Sequence, residues 1–248
     1  RELYKISGHW DHYLDGMFVL GDPNDETKEC FALRPMTCPF QYQAYLNRAR
    51  SYRDLPLRIG EIAHDFRFEA SGTLKGIERG RHFCQNDAHL FVTPEQIEDE
   101  VSSVVNLIRD VYKDFGITNF RCVLSLRDPT DTEKYHPDDE MWNNAENALR
   151  QVLNDLKIDY TEEIGEAAFY GPKLDIQIKN VHGKEDTLIT IQVDQMLAER
   201  FGMEYVDADG QKKRPYIIHR TSLGCFERTL AYMIEKYAGA MPLWLAPE

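Results

Sequence analysis

The chain has 248 residues, 42% hydrophobic and 29% charged, a balance that fits a soluble globular protein with a substantial core in one large domain or two small ones. Its net charge of −13, from 29 basic and 42 acidic residues, excludes a general nucleic-acid coat, which needs a basic surface. No apolar run approaches the ~20 residues that span a bilayer, no secretory leader opens the sequence, and the 5 scattered cysteines lack a CxxC pair, so a reducing, cytoplasmic setting is expected.

Arg1 opens abruptly, and the chain stops in the apolar run AGAMPLWLAPE, where Leu243 and Trp244 would be unusual at a natural terminus. A domain excised from a longer protein is therefore expected. Cations cluster at Arg48, Arg50, Arg53 and Arg58, and again at Lys212, Lys213 and Arg214. Each group is a local nucleic-acid footprint or, more simply, a solvated face. From Glu61 to Val92 the pattern is long hairpin material, with SGTLKG supplying turn chemistry between two strand-like halves. In FCQNDAH, alternation puts Phe83, Gln85, Asp87 and His89 on one face and Cys84, Asn86, Ala88 and Leu90 on the other. A strand built only for packing alternates apolar with polar; this one is polar on its first face.

Two helices follow. Thr93, Pro94 and Gln96 form a capping-box start; Ile97, Val101, Val104, Ile108 and Val111 make one apolar stripe, and Gly116 supplies the stop. The stretch from Asp138 to Leu156 repeats the pattern with Trp142, Ala145, Leu149 and Val152. Strands are predicted in VLSL near Leu124, KLDIQI from Lys173 and LITIQVD from Leu188, and a last helix near Leu223. Strands outnumber helices and often follow one another directly, which favours an α+β fold, an antiparallel β-sheet flanked by α-helices.

Chemistry concentrates in the hairpin. Arg67 and Glu69 would join the face of Phe83, Gln85, Asp87 and His89, and a face so charged should hold ligand, because unpaired burial is costly. Arg79 and Arg81 near the turn could reach phosphate. In the last helix Cys225, Arg228 and Tyr232 share one side, with Phe226, Leu230, Met233 and Tyr237 on the apolar one. An arginine there could close a flat base against Phe83. Cys38, His89 and His219 are 51 and 130 positions apart, so no local zinc spacing selects them.

FRFEASGTLKGIERGRHFCQNDAHLF resembles motif 2 of the class II aminoacyl-tRNA synthetases, and GCFERTLAYMIE resembles motif 3. RPMTCPFQYQAY, SYRDLPLRIGEI, AFYGPKLDIQI, TIQVD and IIHRTSLG, in this order, are similar to the threonyl-tRNA synthetase family. The resemblance covers nearly the whole chain and implies the class II catalytic domain over residues 1–248. Motif 1, a dimer-interface element, and the editing and anticodon-binding domains are expected outside it, with a homodimer in the full-length protein. It implies formation of threonyl-adenylate from L-threonine and ATP, with Mg²⁺, and transfer of threonine to tRNA(Thr), bound weakly by this segment. It implies one zinc ion on Cys38, His89 and His219, with Arg67, Lys173 and Arg228 as the catalytic cations. Glu69, Arg79, Phe83 and Gln192 would join Arg67 and Arg228 at ATP, and Gln85, Asp87, Tyr170 and Gln192 would join Arg67 at threonine.

The chain departs from the family pattern at Thr187, in a run where Trp-Gln is common, at Cys225 in place of serine, at Glu78 in place of an apolar residue, and at Phe40-Gln41 in place of Gly-His. Two other classes stay open beside the enzyme: a non-catalytic paralogue that senses amino acid or RNA, and a zinc-stabilised structural module.

Overall fold

Alternation from Leu57 to Phe66 (β1) and from His82 to Val92 (β2) makes two long antiparallel strands, with Gly60 facing Ala88 and Phe66 facing His82. They are one end of a seven-stranded sheet completed by Phe120–Leu126 (β3), Tyr160–Ile164 (β4), Lys173–Lys179 (β5), Glu185–Asp194 (β6) and Tyr216–Cys225 (β7). The strand order is β1-β2-β7-β6-β5-β3-β4. This computed structural model describes residues 1–135 and 137–247.

The antiparallel expectation holds for every neighbouring pair except β3 and β4, which run parallel. The exception has a physical cause. A helix joins those two strands, and such a crossover returns the chain in the same direction. β4, YTEEI, was not foreseen because it is a short, charged, largely exposed edge with little to bury.

The two predicted helices are present. Cys38–Leu46 (α1) precedes the hairpin, Ile97–Asp114 (α2) follows it, and Asp139–Asp155 (α3) is the crossover. Thr93 and Gln96 cap a single 3₁₀ turn that leads into α2, and Gly116 ends it at φ +65°. The Asp138 carboxylate caps α3 by accepting from the Met141 N–H at 2.9 Å. Ile97, Val101, Val104 and Ile108 meet Trp142, Ala145, Leu149 and Val152 over the even-numbered face of β2, where Ala88, Leu90 and Val92 are buried. A second core of Tyr42, Tyr45, Phe91, Leu197 and Ile217 lies on the opposite sheet face.

The last helix, Phe226–Tyr237 (α4), starts later than expected, because Leu223, Gly224 and Cys225 remain strand. Gly224 sits at φ +75° with the Leu188 carbonyl oxygen only 2.3 Å from where a Cβ would be, so the close approach of β7 to β6 delays the helix. The apolar stripe proposed for α4 is also corrected. Met233 is buried, but Leu230 is 45% exposed, and Thr229 takes the inward position.

Most members of both basic clusters have partners. Arg50 is buried, donating to the carbonyls of Ala44 and Tyr45; Arg58 pairs with Glu100, Lys212 with Glu204, Lys213 with Asp207 and Arg214 with Glu199. Among the described residues no helix is long and apolar enough to cross a membrane.

Candidate active site

The sheet face opposite α2 and α3 carries a cleft of about 400 Å³. Strand register builds its floor. His89 pairs with His219, His219 with Gln192, and Gln192 with Lys173, so four side chains stand in a row across β2, β7, β6 and β5 and all line the cleft. Along β2 the same face continues through Asp87, Gln85 and Phe83, as alternation predicts.

At one end Cys38, the first residue of α1, meets His89 and His219. Their ligand atoms all lie within 4.8 Å of one another, and all three residues are buried. Each imidazole has one nitrogen already engaged. His89 Nδ1 lies 2.8 Å from the Gln41 amide oxygen, and His219 Nε2 lies 2.7 Å from the Asp194 carboxylate. Burial pushes the Cys38 thiol well above its usual range, helped by the charges of Asp87 and Asp194. Burial also pushes His89 well below its usual range, so it is neutral. Two imidazoles, each with one nitrogen free, and a thiol that a bound cation would help to ionise form a donor set that fits zinc. Tyr42 packs edge-on against both rings, at 5.9 Å from His89 and 6.5 Å from His219.

Next to this trio, Asp87 is buried and accepts from the Thr37 hydroxyl, with burial raising its carboxyl above the usual range. Tyr170 donates to Gln192 Oε1 at 2.8 Å. Gly171 makes that possible: a Cβ there would stand 2.0 Å from the Val193 carbonyl oxygen, so only glycine lets the loop lie on β6.

The far end holds charge. Arg67 and Glu69 lie just beyond β1; the Arg67 guanidinium stands 5.1 Å over the Phe83 ring and donates to the Pro35 carbonyl at 3.1 Å. Glu69 pairs with Arg79 at 3.1 Å, Glu78 with Lys75 at 2.6 Å, and Lys173 with Asp175 at 2.7 Å. Arg228, at the start of α4, lines the cleft and donates to the Thr187 carbonyl at 3.2 Å.

His89, His219, Gln192 and Lys173 across this floor, and Asp87, Gln85 and Phe83 along β2, are among the residues expected from sequence. One expectation fails. Arg81 does not line the cleft; it stacks 4.8 Å over Phe68 and donates to the Glu69 carbonyl. Tyr232 lines a small pocket together with Arg228, as their shared helix face implies, and also packs against the main core. Of the departures, Cys225 Sγ donates to Glu227 at 3.2 Å, and Phe40 is an exposed ring packed on Tyr4.

Sequence reasoning missed His9, Asp65, Asp175, Asp194 and Arg220. His9, Asp175 and Arg220 line the cleft. Burial pushes His9 down to about 4, with His219 adding to the effect, so it is a neutral base within the site. Burial and the neighbouring Asp87 push Asp65 up to about 7. Asp194 ends the quoted run TIQVD, the one signal that pointed at it.

Comparison with known proteins agrees with this architecture. The profile of the tRNA synthetase class II core domain (G, H, P, S and T) matches residues 18–237. A threonine–tRNA ligase of Clostridium perfringens (strain SM101) is 60% identical over 99% of this chain, and one of Streptococcus pyogenes serotype M2 is 53% identical over 99%. In both cases the chain spans 38% of the relative's length. A crystal structure titled as the RNA binding domain of threonyl-tRNA synthetase from Cryptosporidium parvum superposes with TM-score 0.90 at 37% identity, covering 100% of this chain and 60% of that one. A putative threonyl-tRNA synthetase from Aeropyrum pernix gives 0.84 at 34%, covering 97% and 55%.

Proposed function

We propose that this chain, which belongs to the family of class II tRNA synthetase core domains (G, H, P, S and T), is the catalytic core of a threonine–tRNA ligase. It would activate L-threonine with ATP to threonyl-adenylate and pass the threonyl group to the 3′ end of tRNA(Thr). One observation carries this reading: the buried trio of Cys38, His89 and His219 shares a single floor with the cationic end that holds Arg67 and Phe83. The 60% identity to a threonine–tRNA ligase supports the choice of amino acid.

Adenylate formation needs no protein nucleophile. A threonine carboxylate oxygen bonds to the α-phosphorus of ATP while the bond to pyrophosphate breaks, so the site contributes alignment and charge neutralisation. Arg67 would bridge the carboxylate and the α-phosphate. Lys173 would exchange Asp175 for that phosphate. Phe83 and Arg228 would enclose the adenine, Glu69 would accept from its amino edge, and Arg79 would turn from Glu69 to the γ-phosphate. Mg²⁺ enters with ATP. Gln85, Tyr170 and Gln192 would orient threonine, and Asp87 would accept from its hydroxyl. Zinc held by Cys38, His89 and His219 would keep coordination free for the amino and hydroxyl groups of threonine, a preference over valine that an apolar pocket cannot make.

The test is threonine-dependent exchange of pyrophosphate into ATP by zinc-loaded protein. Exchange with threonine and none with valine is expected. Folded, zinc-loaded protein that exchanges nothing would favour the non-catalytic paralogue.

A further inference from the structure

We propose that Gln41 is a positioning residue of the metal centre: its amide oxygen holds the His89 proton on Nδ1 and so makes Nε2 the ligating nitrogen. The inference rests on the zinc reading above and deepens it. Gln41 stands at a position where the sequence departs from its family pattern, and the structure gives that departure a task.

Three facts converge on it. Cys38 and Gln41 are three residues apart on α1, hence on one face of the helix, with Tyr42 beside them. A single helical turn therefore delivers a thiol ligand, an acceptor for a second ligand and an aromatic wall against both imidazoles. Gln41 is 4% exposed and its Nε2 has no hydrogen-bond partner, so its polar contact in this buried place is the one to His89 Nδ1 at 2.8 Å. A carbonyl oxygen only accepts. Were the ring proton on Nε2, two lone pairs would face each other across that distance, so the arrangement selects the Nδ1–H tautomer.

The second histidine is fixed by different chemistry and through the opposite nitrogen. Asp194, fully buried, engages His219 Nε2 at 2.7 Å, which leaves Nδ1 of that ring for the metal. The other Asp194 oxygen accepts from the Leu197 N–H at 2.8 Å, so this carboxylate is itself held in place. Asp194 supplies orientation together with negative charge. Gln41 is neutral and supplies orientation alone.

The experiment compares zinc affinity of the parent, Gln41→Leu and Gln41→Glu by chelator competition, without threonine or ATP, with Co²⁺ uptake as a spectroscopic cross-check. Gln41→Leu is expected to bind zinc about 10–100-fold more weakly, and Gln41→Glu, which restores an acceptor, to stay within about threefold of the parent. Equal affinity of the parent and Gln41→Leu overturns the inference and leaves the zinc reading intact. A parent that takes up no metal overturns the zinc reading itself. Nitrogen-resolved NMR of the zinc-loaded parent is independent of any variant's folding: a proton on His89 Nδ1 is expected, and one on Nε2 would refute the assignment.

Discussion

The two ends of the cleft are built on opposite principles. At the proposed metal end His89, His219 and Asp87 are buried and each is tied by a neutral or fixed partner: His89 to Gln41, His219 to Asp194, Asp87 to Thr37. At the proposed nucleotide end the groups are partly exposed and hold one another as ion pairs, Arg79 with Glu69 and Lys75 with Glu78. Such pairs contribute little when solvated, so a polyphosphate can exchange them at small cost. The buried ties cannot be exchanged without leaving a polar group unpaired. On the proposed function, a small amino acid that differs from its competitor by one hydroxyl would need the rigid end, and a multiply charged nucleotide would tolerate the adaptable one.

This contrast can be broken most severely at the metal end. Cys38→Ala should remove stoichiometric zinc and lower threonine-dependent exchange by more than about a thousandfold, read by metal analysis beside the exchange assay. If the variant instead unfolds in the presence of zinc, the trio is structural. Arg67→Ala, at the charged end, should lower exchange by about a hundred- to a thousandfold while zinc content stays whole. Asp87→Ala should separate the ends: kcat/KM for threonine falls about 10–100-fold and KM for ATP stays close to the parent's. Equal losses for both substrates would remove Asp87 from threonine recognition.

The smallest expected effect concerns stability. Asp65 is 1% exposed, its Oδ1 has among the described residues only an ion-pair contact with Arg34 at 3.5 Å, and burial with the nearby Asp87 raises it to about 7. A folded carboxyl that keeps its proton to about 7 contributes stability in full below the unfolded value of about 4. That contribution is lost as pH rises through the folded value. Asp65→Asn removes the titration, so its melting temperature should exceed the parent's at pH 8 and match it near pH 4. Parallel melting curves at both pH values would show that Asp65 is ionised in the fold without cost.

Much of the floor was legible because β alternation is local: FCQNDAH declares its polar face from the spacing of Phe83, Gln85, Asp87 and His89 alone. The capping box at Thr93 and Gln96 was legible for the same reason. Neither β4 nor the late start of α4 could be read this way. One depends on a crossover that places an otherwise unremarkable charged segment at a sheet edge, the other on contact between Gly224 and the Leu188 carbonyl. Tertiary pairing also decides the fate of Arg58 and Lys213, whose partners lie far away or across a turn. Resemblance supplied the trio of Cys38, His89 and His219, which no spacing rule could have assembled, and it passed over Asp194 and Asp175, whose duties appear only once the strands are side by side.

The row from His89 through His219 and Gln192 to Lys173 crosses three gaps between hydrogen-bonded strands. At ~4.8 Å per gap, backbone pairing alone sets its two ends ~14 Å apart. The molecule therefore carries a gauge written in its main chain, graduated in whole strands. Side-chain mutations can blunt the tips of that gauge, but altering its length would require inserting or deleting a strand.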